Sequence, residues 1–335
     1  MAVRNEEQHI ARSLRSILAQ NYPTDRLQVL VADGMSTDRT RDVIKDVQSS
    51  QHRISVKIID NRALTASAGL NLAVKNSGGE VVIRADGKCE LAPDYIRNCV
   101  DLLKESGADN VGGWRRPLGE GFVGRAIATA ITSAFGVGGD QSARHLRRQW
   151  TDTVYLGAWR RKTFEQVGLF DEEMVRNQDD EFNYRLRKAG GRILASGTIR
   201  SSYFSRPSIA ELWHQYYNFG FWKVRVLQKH PRQMRWRQFV PPTFVCALVL
   251  LALLTPVSNW FRLSFLCLVG VYIFINLAVS VFTGVRSRSR EVVLLPVVFL
   301  TLHLSYGSGF LMGVTRFMVF GDYPNQGINA EMRGG

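Results

Sequence analysis

From Phe239 onward the chain is mostly apolar, and this shift in composition limits what the sequence can fold into. Three apolar runs, about Phe239–Val257, Leu263–Phe282 and Val292–Met312, each approach the ~20 residues a helix needs to cross a bilayer. Pro241, Pro242 and Pro256 shorten the helical part of the first run, which leaves a re-entrant segment as its alternative. The turn after the first run holds only Arg262, whereas the link after the second holds Arg286, Arg288 and Arg290. Excess positive charge marks the cytoplasmic side, so that link and everything before Phe239 are expected in the cytoplasm. Three spans would put the C-terminus outside. His303, at mid-depth in the third run, is read as a packed polar residue rather than a functional one, against the usual expectation for ionisable groups in membranes.

Residues 1–238 mix charged and apolar residues as a soluble domain does. A net charge of +14 suits nucleic acid, an anionic membrane surface or a phosphorylated substrate; the apolar tail favours the last two. Cys89, Cys99, Cys246 and Cys267 show no CxxC spacing, so neither a zinc site nor a disulfide framework is indicated. The start shows no signal-peptide pattern. Between 208 and 238, Trp213, Tyr216, Tyr217, Phe219, Phe221 and Trp222 mix with Lys223, Arg225, Lys229, Arg232, Arg235 and Arg237. That is the composition of helices lying in a membrane interface; a bundle helix packed on the soluble domain is the plainer alternative. Single-stranded nucleic acid would suit the same composition, but not beside an apolar tail.

The soluble part alternates short apolar runs with helical patterns. Strands are predicted at 27–32, 54–59, 81–83 and 110–114, and a further one at 193–195. Asn5 is placed to cap a first helix whose inner face is Ile10, Leu14, Ile17 and Leu18. Helices follow near 37–47 and at 66–75, another opened by Pro93, and one from Asp179 to Lys188. Alternation of this kind predicts βαβ units and a largely parallel sheet. Residues 115–150 read as a long functional loop region with one helix over 123–133.

Three acidic clusters carry the chemistry. Asp33-Gly34 and Asp86-Gly87 each follow an apolar strand, and Asp179-Asp180-Glu181 opens a helix. Ligands of open α/β sheets bind outside the carboxyl ends of the strands. Taken singly, each cluster also reads as a turn or first-turn acid. Taken together, ahead of a membrane tail, they suit transfer of a sugar from a nucleotide diphosphate donor to a lipid-linked acceptor. One carboxylate would bind the nucleoside, one the ribose or a metal, and one would take a proton from the acceptor hydroxyl. The leaving diphosphate then needs positive charge beside it.

Several motifs resemble family 2 glycosyltransferases over roughly residues 2–235. They are Val3-Arg4-Asn5-Glu6-Glu7, Asp33-Gly34-Met35-Ser36-Thr37-Asp38-Arg39-Thr40, Leu70-Asn71 with Gly79-Glu80, Tyr155-Leu156-Gly157-Ala158, Gly168-Leu169-Phe170-Asp171-Glu172, and Asp179-x-Glu181-Phe182-Asn183-Tyr184-Arg185-Leu186. The subgroup they look like is the bacterial succinoglycan-type membrane glucosyltransferases of exopolysaccharide synthesis. The resemblance implies a GT-A, Rossmann-like mixed sheet flanked by helices over residues 1–205, amphipathic interface helices over 206–238 and about three transmembrane helices over 239–335. It implies an inverting enzyme of the bacterial inner membrane, using a UDP-sugar, with glucose the expected sugar, and a polyprenyl-diphosphate-linked glycan. By the same resemblance Asp179 is the catalytic base, and Arg4, Asn5, Glu6, Asp33, Asp86 and Lys88 bind the nucleotide-sugar. Gly157, Ala158, Asp180 and Gln215 lie on the acceptor side, and Asp86 sits at a divalent metal, Mn or Mg.

The sequence departs from the family pattern in three places. Lys88 stands where the Asp-x-Asp motif has its second, metal-ligating Asp, and an ammonium cannot ligate a cation. Only Met1 and Ala2 precede the motif that follows the family's first strand, so a start further upstream is expected. Gln215-Tyr216-Tyr217-Asn218-Phe219 lacks the Arg and Trp of the processive-synthase motif, which favours single addition. A processive synthase and a non-catalytic nucleotide-sugar-binding scaffold are the alternatives. A dehydrogenase or methyltransferase would need a Gly-rich first turn that is absent.

Overall fold

The computed structural model describes residues 1–51, 53–137, 147–288 and 290–321. It forms two units, Met1–Arg116 with Ser142–Phe204, and Pro117–Gln141 with Ser205–Gly335. The strands in chain order are β1 (Ala2–Val3), β2 (Gln28–Asp33), β3 (Ser55–Asp60), β4 (Val81–Ile83), β5 (Cys89–Leu91), β6 (Asn110–Leu118), β7 (Gln149–Thr151), β8 (Tyr155–Arg160) and β9 (Ile193–Phe204). The first helices are α1 (Ile10–Leu18), α2 (Thr40–Ser49), α3 (Ala66–Asn76), α4 (Tyr95–Ser106), α5 (Gly121–Thr132) and α6 (Ala134–Val137). They are followed by α7 (Arg161–Val167), α8 (Gln178–Lys188), α9 (Ile209–Lys229), α10 (Val240–Leu254), α11 (Asn259–Ser287) and α12 (Leu295–Gly313).

In the first unit, β1, β2 and β3 form a parallel sheet in that order. β2 is buried from Val29 to Asp33, as an uninterrupted apolar strand between two neighbours should be. Its register pairs Val3 with Asp33 and Asp33 with Asp60, which sets Asp33 at the carboxyl edge. The remaining strands form a second sheet, β4-β8-β6-β9-β5, with β7 on β9. Here the expectation of a largely parallel sheet is corrected: β4–β8, β6–β8, β5–β9 and β7–β9 are all antiparallel. Two of these pairings are made by β9, which runs on to Phe204 rather than ending at Ala195 and so adds β5 to the sheet. Its second half alternates exposed Thr198 and Arg200 with buried Ile199 and Ser201, a one-faced strand whose polar side hid it. β6 carries a bulge between Val111 and Gly113, where a Cβ would come within 1.6 Å of the Ile199 carbonyl oxygen, so only glycine fits.

One core spans both sheets of this unit, with Ile10, Leu14, Val31, Ile44, Cys89, Val111, Ala158 and Ile199 all fully buried. Under α8 lies an aromatic cluster of Trp159, Phe164, Phe170 and Phe182, with ring centroids 4.8–5.9 Å apart. Two helix starts differ from the sequence reading. α1 begins at Ile10 with His9 at its cap. Asn5 does not cap it, because its side chain is bonded elsewhere, as described below. α4 begins at Tyr95 behind Asp94, so Pro93 precedes the helix rather than opening it.

The second unit is helical. α5 falls on the helix expected at 123–133, but its surroundings correct the reading of a loop region. Ala126, Ile127 and Ala130 are buried with Leu212 and Tyr216 of α9 and Leu295, Val298, Phe299 and Leu302 of α12. Arg125 reaches the buried Glu291 at 2.5 Å. α9, the helix expected to lie in a membrane interface, packs against α12 and buries part of its aromatic set, while Trp213 stays 42 % exposed. Phe221, Trp222, Val224 and Val226 are all within 3 % exposure. The two backbones meet through glycine: a Cβ on Gly220 would lie 2.1 Å from the Tyr306 carbonyl oxygen, and one on Gly309 2.1 Å from that of Tyr217. Close approach through small residues is how helices associate without a hydrophobic driving force.

Among the described residues, three helical stretches are long and apolar enough to cross a membrane: Trp236–Leu254, Asn259–Ser287 and Arg290–Val319. Only 11 % of the first and of the second is buried, so their apolar faces look outward. The prolines at 241 and 242 fall in the first turn of a continuous α10, where their missing N–H groups cost no helical bond. His303 donates from Nε2 to the Phe135 carbonyl at 2.8 Å and accepts at Nδ1 from the Tyr272 hydroxyl at 3.0 Å. Both ring nitrogens are used in packing, in line with the reading of this residue.

Candidate active site

The loop after β1 and the turn after β2 are sewn together. Asn5, at φ 53°, donates its backbone N–H to Ser36 Oγ at 2.9 Å and accepts from the Thr37 N–H at 2.9 Å. The Glu6 N–H donates to Thr40 Oγ1 at 2.7 Å, and the Glu7 N–H to Asp38 at 3.1 Å. In return Glu7 accepts from the Arg39 N–H at 3.0 Å. Burial opposes the charge on Asp38. The Thr40 hydroxyl and nearby N–H groups outweigh this and hold the carboxyl below its usual range. Arg4 flanks Gly34, where a Cβ would come within 3.2 Å of the Arg4 Cβ. Asp33 is fully buried. It accepts from the Ser36 hydroxyl at 2.5 Å and N–H at 3.1 Å, and pairs with Arg41 Nε at 3.2 Å. Its carboxylate therefore holds the turn together.

A second constellation forms at the end of β4. Arg84 donates from Nε and Nη2 to both oxygens of Asp86, at 2.9 and 3.2 Å. Its Nη1 lies 3.9 Å from Asp179 Oδ2 and has no hydrogen-bond partner among the described residues. One guanidinium thus links the two carboxylates that sequence reasoning had placed at the donor and the base. Burial works against the charge on Arg84, but Asp86 and Asp179 outweigh it and keep the guanidinium charged above its usual range. Residues two apart in extended chain share a face, and this Arg84–Asp86 spacing was the available signal. The link to Asp179, far away in sequence, left none.

Asp179 sits in the first turn of α8. Its side chain is 38 % exposed, with protein crowded around it. Desolvation therefore raises its pKa; Arg84 lowers it, and Asp180 raises it further, with a net upward shift. A carboxylate so placed is a stronger base than a free one. α8 is held by Phe182 in the aromatic cluster, by Asn183 bonded to Asn110 at 2.8 Å, and by Arg185. Arg185 pairs with Glu181 at 2.7 Å and caps the Val167 and Leu169 carbonyls. Asp180 follows directly, its N–H on Asp179 Oδ1 at 3.0 Å.

The Asp86–Cys89 turn is rigid. The Asp86 carbonyl accepts from the Ser13 hydroxyl at 2.8 Å and from the Cys89 thiol at 3.0 Å. Burial, reinforced by Asp86, pushes the Cys89 thiol up to about 12, so it stays protonated. Gly87 lets the turn close on the β1 loop, since a Cβ there would meet Glu6 Cγ at 3.0 Å. Lys88 is fixed by its carbonyl, which accepts from the Phe204 N–H at 3.1 Å, and its ammonium lies 3.7 Å from Glu6 Oε2.

Of the acceptor-side residues, Gly157 (φ 80°) stands next to the site, its carbonyl accepting from the Arg84 N–H at 3.1 Å. The Ala158 side chain is fully buried in the core. Gln215 belongs to α9 in the second unit, where it accepts from Arg206 Nε at 3.4 Å. Tyr155 was not singled out as a site residue. Its phenol is raised well above the usual range by burial and then by Asp86, and its ring lies under the Arg115 guanidinium at 5.1 Å.

The residues present do not suit a divalent cation. Hard cations take several anionic oxygens, yet both Asp86 oxygens are taken by Arg84, and the second motif position carries a positive charge. Among the described residues no three His, Cys, Asp or Glu side chains converge as a metal site.

Known proteins share this architecture. The chain is 28 % identical over 308 residues to the succinoglycan biosynthesis protein ExoA of Rhizobium meliloti (strain 1021), covering 91 % of each. It is 26 % identical over 322 residues to a dolichyl N-acetyl-alpha-D-glucosaminyl phosphate 3-beta-D-2,3-diacetamido-2,3-dideoxy-beta-D-glucuronosyltransferase of Methanococcus voltae, covering 93 % of this chain and 95 % of that protein. Among solved structures it resembles the mannosyltransferase PcManGT of Pyrobaculum calidifontis in complex with GDP-Man and Mn²⁺. That match has a TM-score of 0.58 and 17 % identity, and covers 91 % of this chain and 85 % of that one. Residues 1–167 match the model of Glycosyl transferase family 2, and the chain is a family 2 glycosyltransferase with a GT-A-like fold.

Proposed function

We propose that this enzyme transfers a sugar from a nucleoside diphosphate donor, UDP-glucose being the expected one, to a hydroxyl of a polyprenyl-diphosphate-linked glycan in exopolysaccharide synthesis, inverting the anomeric carbon. The observation that carries the reading is the Asp86–Arg84–Asp179 link. It joins the strand end where a donor binds to a carboxylate of raised basicity. In this reading the sewn pair of loops at Asn5–Glu7 and Ser36–Thr40 receives the nucleoside. The acceptor hydroxyl attacks the anomeric carbon while Asp179 takes its proton; the bond to the diphosphate breaks, and the diphosphate leaves with the electron pair. The apolar helices would hold the enzyme at a bacterial inner membrane, where a lipid-linked acceptor resides. Support comes from the two relatives, whose names specify succinoglycan biosynthesis and glycosyl transfer to a dolichyl-linked sugar, and from the GDP-Man bound to the structural neighbour.

The test is release of UDP from a panel of UDP-sugars by membranes containing the full chain and a crude lipid-linked acceptor. Acceptor-dependent release that Asp179→Asn abolishes is the expected result. Release that is unchanged in Asp179→Asn would remove this residue as the base.

A further inference from the structure

We infer that Lys88 is the cation that holds the donor's diphosphate, in the position where the family motif holds a divalent metal, and that donor binding is independent of metal. This rests on the reading of the donor as a nucleoside diphosphate sugar.

Three observations converge. The first is that Asp86, the one acid left of the motif, is already engaged at both oxygens by Arg84. A metal would have to displace a buried guanidinium that two carboxylates hold charged. The second is that Lys88 is only weakly engaged. Its ammonium offers three donors, and its one ion-pair partner among the described residues is Glu6, at 3.7 Å, beyond hydrogen-bonding distance. The side chain is 24 % exposed, so it can reach a ligand while remaining shielded enough for its charge to matter. The third is that its backbone is preset. The Asp86 carbonyl closes the turn, Gly87 lets it lie against Glu6, and the Phe204 N–H pins the Lys88 carbonyl. A cation in the turn between β4 and β5, beside Glu6 of the nucleoside-side loop, is placed to meet the charge that develops as the diphosphate leaves. Arg84 keeps Asp86 out of coordination and couples it to Asp179; Lys88 faces the phosphates.

Binding of UDP, and of GDP as a second probe, to the full chain in detergent tests this directly, by calorimetry in EDTA and again in Mn²⁺. The wild-type Kd should agree within about twofold between the two conditions. Removing a charge-assisted contact in Lys88→Met should weaken binding in EDTA by about tenfold or more. Lys88→Arg, which keeps the charge, should bind within severalfold of wild type and shows that the fold survives change at this position. Lys88→Asp should bind poorly in EDTA and recover in Mn²⁺. That recovery in Mn²⁺ should be seen in this variant alone. Wild-type binding that collapses in EDTA, or that tightens about tenfold or more in Mn²⁺, would overturn the inference while leaving the donor reading intact. Absence of binding by either nucleotide under both conditions would overturn the donor reading and this inference with it.

Discussion

Arg84 sets the chemistry of the site at the scale of single residues. It shares one charge between Asp86, at hydrogen-bonding distance, and Asp179, 3.9 Å away. Burial raises the Asp179 pKa, Arg84 restrains the rise, and Asp180 adds to it. As the proposed base, Asp179 would act deprotonated, so the acid limb of the kcat/KM profile should lie above that of an ordinary Asp. Arg84→Met removes the restraint and should move the limb to higher pH. Asp180→Asn removes a repelling neighbour and should move it lower. The stability consequence has the opposite sense to that of most carboxylates. A folded-state pKa above the unfolded one favours the fold only at low pH, and that contribution is lost as pH rises through the folded value. At neutral pH the Asp179 carboxylate is therefore a cost to the fold, and Asp179→Asn should be at least as stable as wild type in thermal melts. The sequence singled out Asp86 and Asp179, which the structure brings beside one arginine, because strand-end and helix-start positions are local patterns. It could not show that one arginine joins the two, since that contact depends on how the sheet brings β4 to α8. It also misread Asn5, whose cap-like chemistry is spent on Ser36 and Thr37 rather than on α1.

At the scale of elements, legibility followed the hydrophobic pattern. β2 and β3 were readable as apolar strands, and α1 by its buried Ile10, Leu14 and Ile17. β9 was readable only as far as its two-sided apolar start, and its antiparallel pairing with β5 was lost with the rest. The α9–α12 pair was invisible for another reason: its contact is made by what is absent, the side chains of Gly220, Gly309 and Gly313. Gly309→Leu should force the helices apart against a backbone carbonyl, at about 3 kcal/mol or more. The expected result is a lower Tm and loss of monodisperse protein in detergent. Gly270→Ala, where a Cβ meets nothing within 4 Å, is the matched control and should behave as wild type.

For the whole molecule, the break in composition at Phe239 located the helices long enough to span a bilayer but misjudged the other half of their unit. Trp236–Leu254 has 19 residues, which at 1.5 Å each gives about 28 Å, close to the ~30 Å hydrocarbon thickness. Trp236 and Trp260, 76 % and 79 % exposed, flank that helix as interfacial aromatics do. What composition hid is that Pro117–Gln141 belongs with the helices after Ser205, although the strands β7 to β9 lie between them in the chain. That discontinuity governs how the protein must be made. As the ribosome delivers the chain, α5 emerges long before α9 and α12, which bury its Ala126, Ile127 and Ala130. An apolar helix is thus left waiting while the catalytic strands are synthesised, and the two units cannot mature strictly one after the other. A chain ended after Phe204 should consequently accumulate as aggregate, with its nascent form held by chaperones. The full-length protein, made in the presence of membranes, should partition cleanly between supernatant and membrane fractions in favour of the latter.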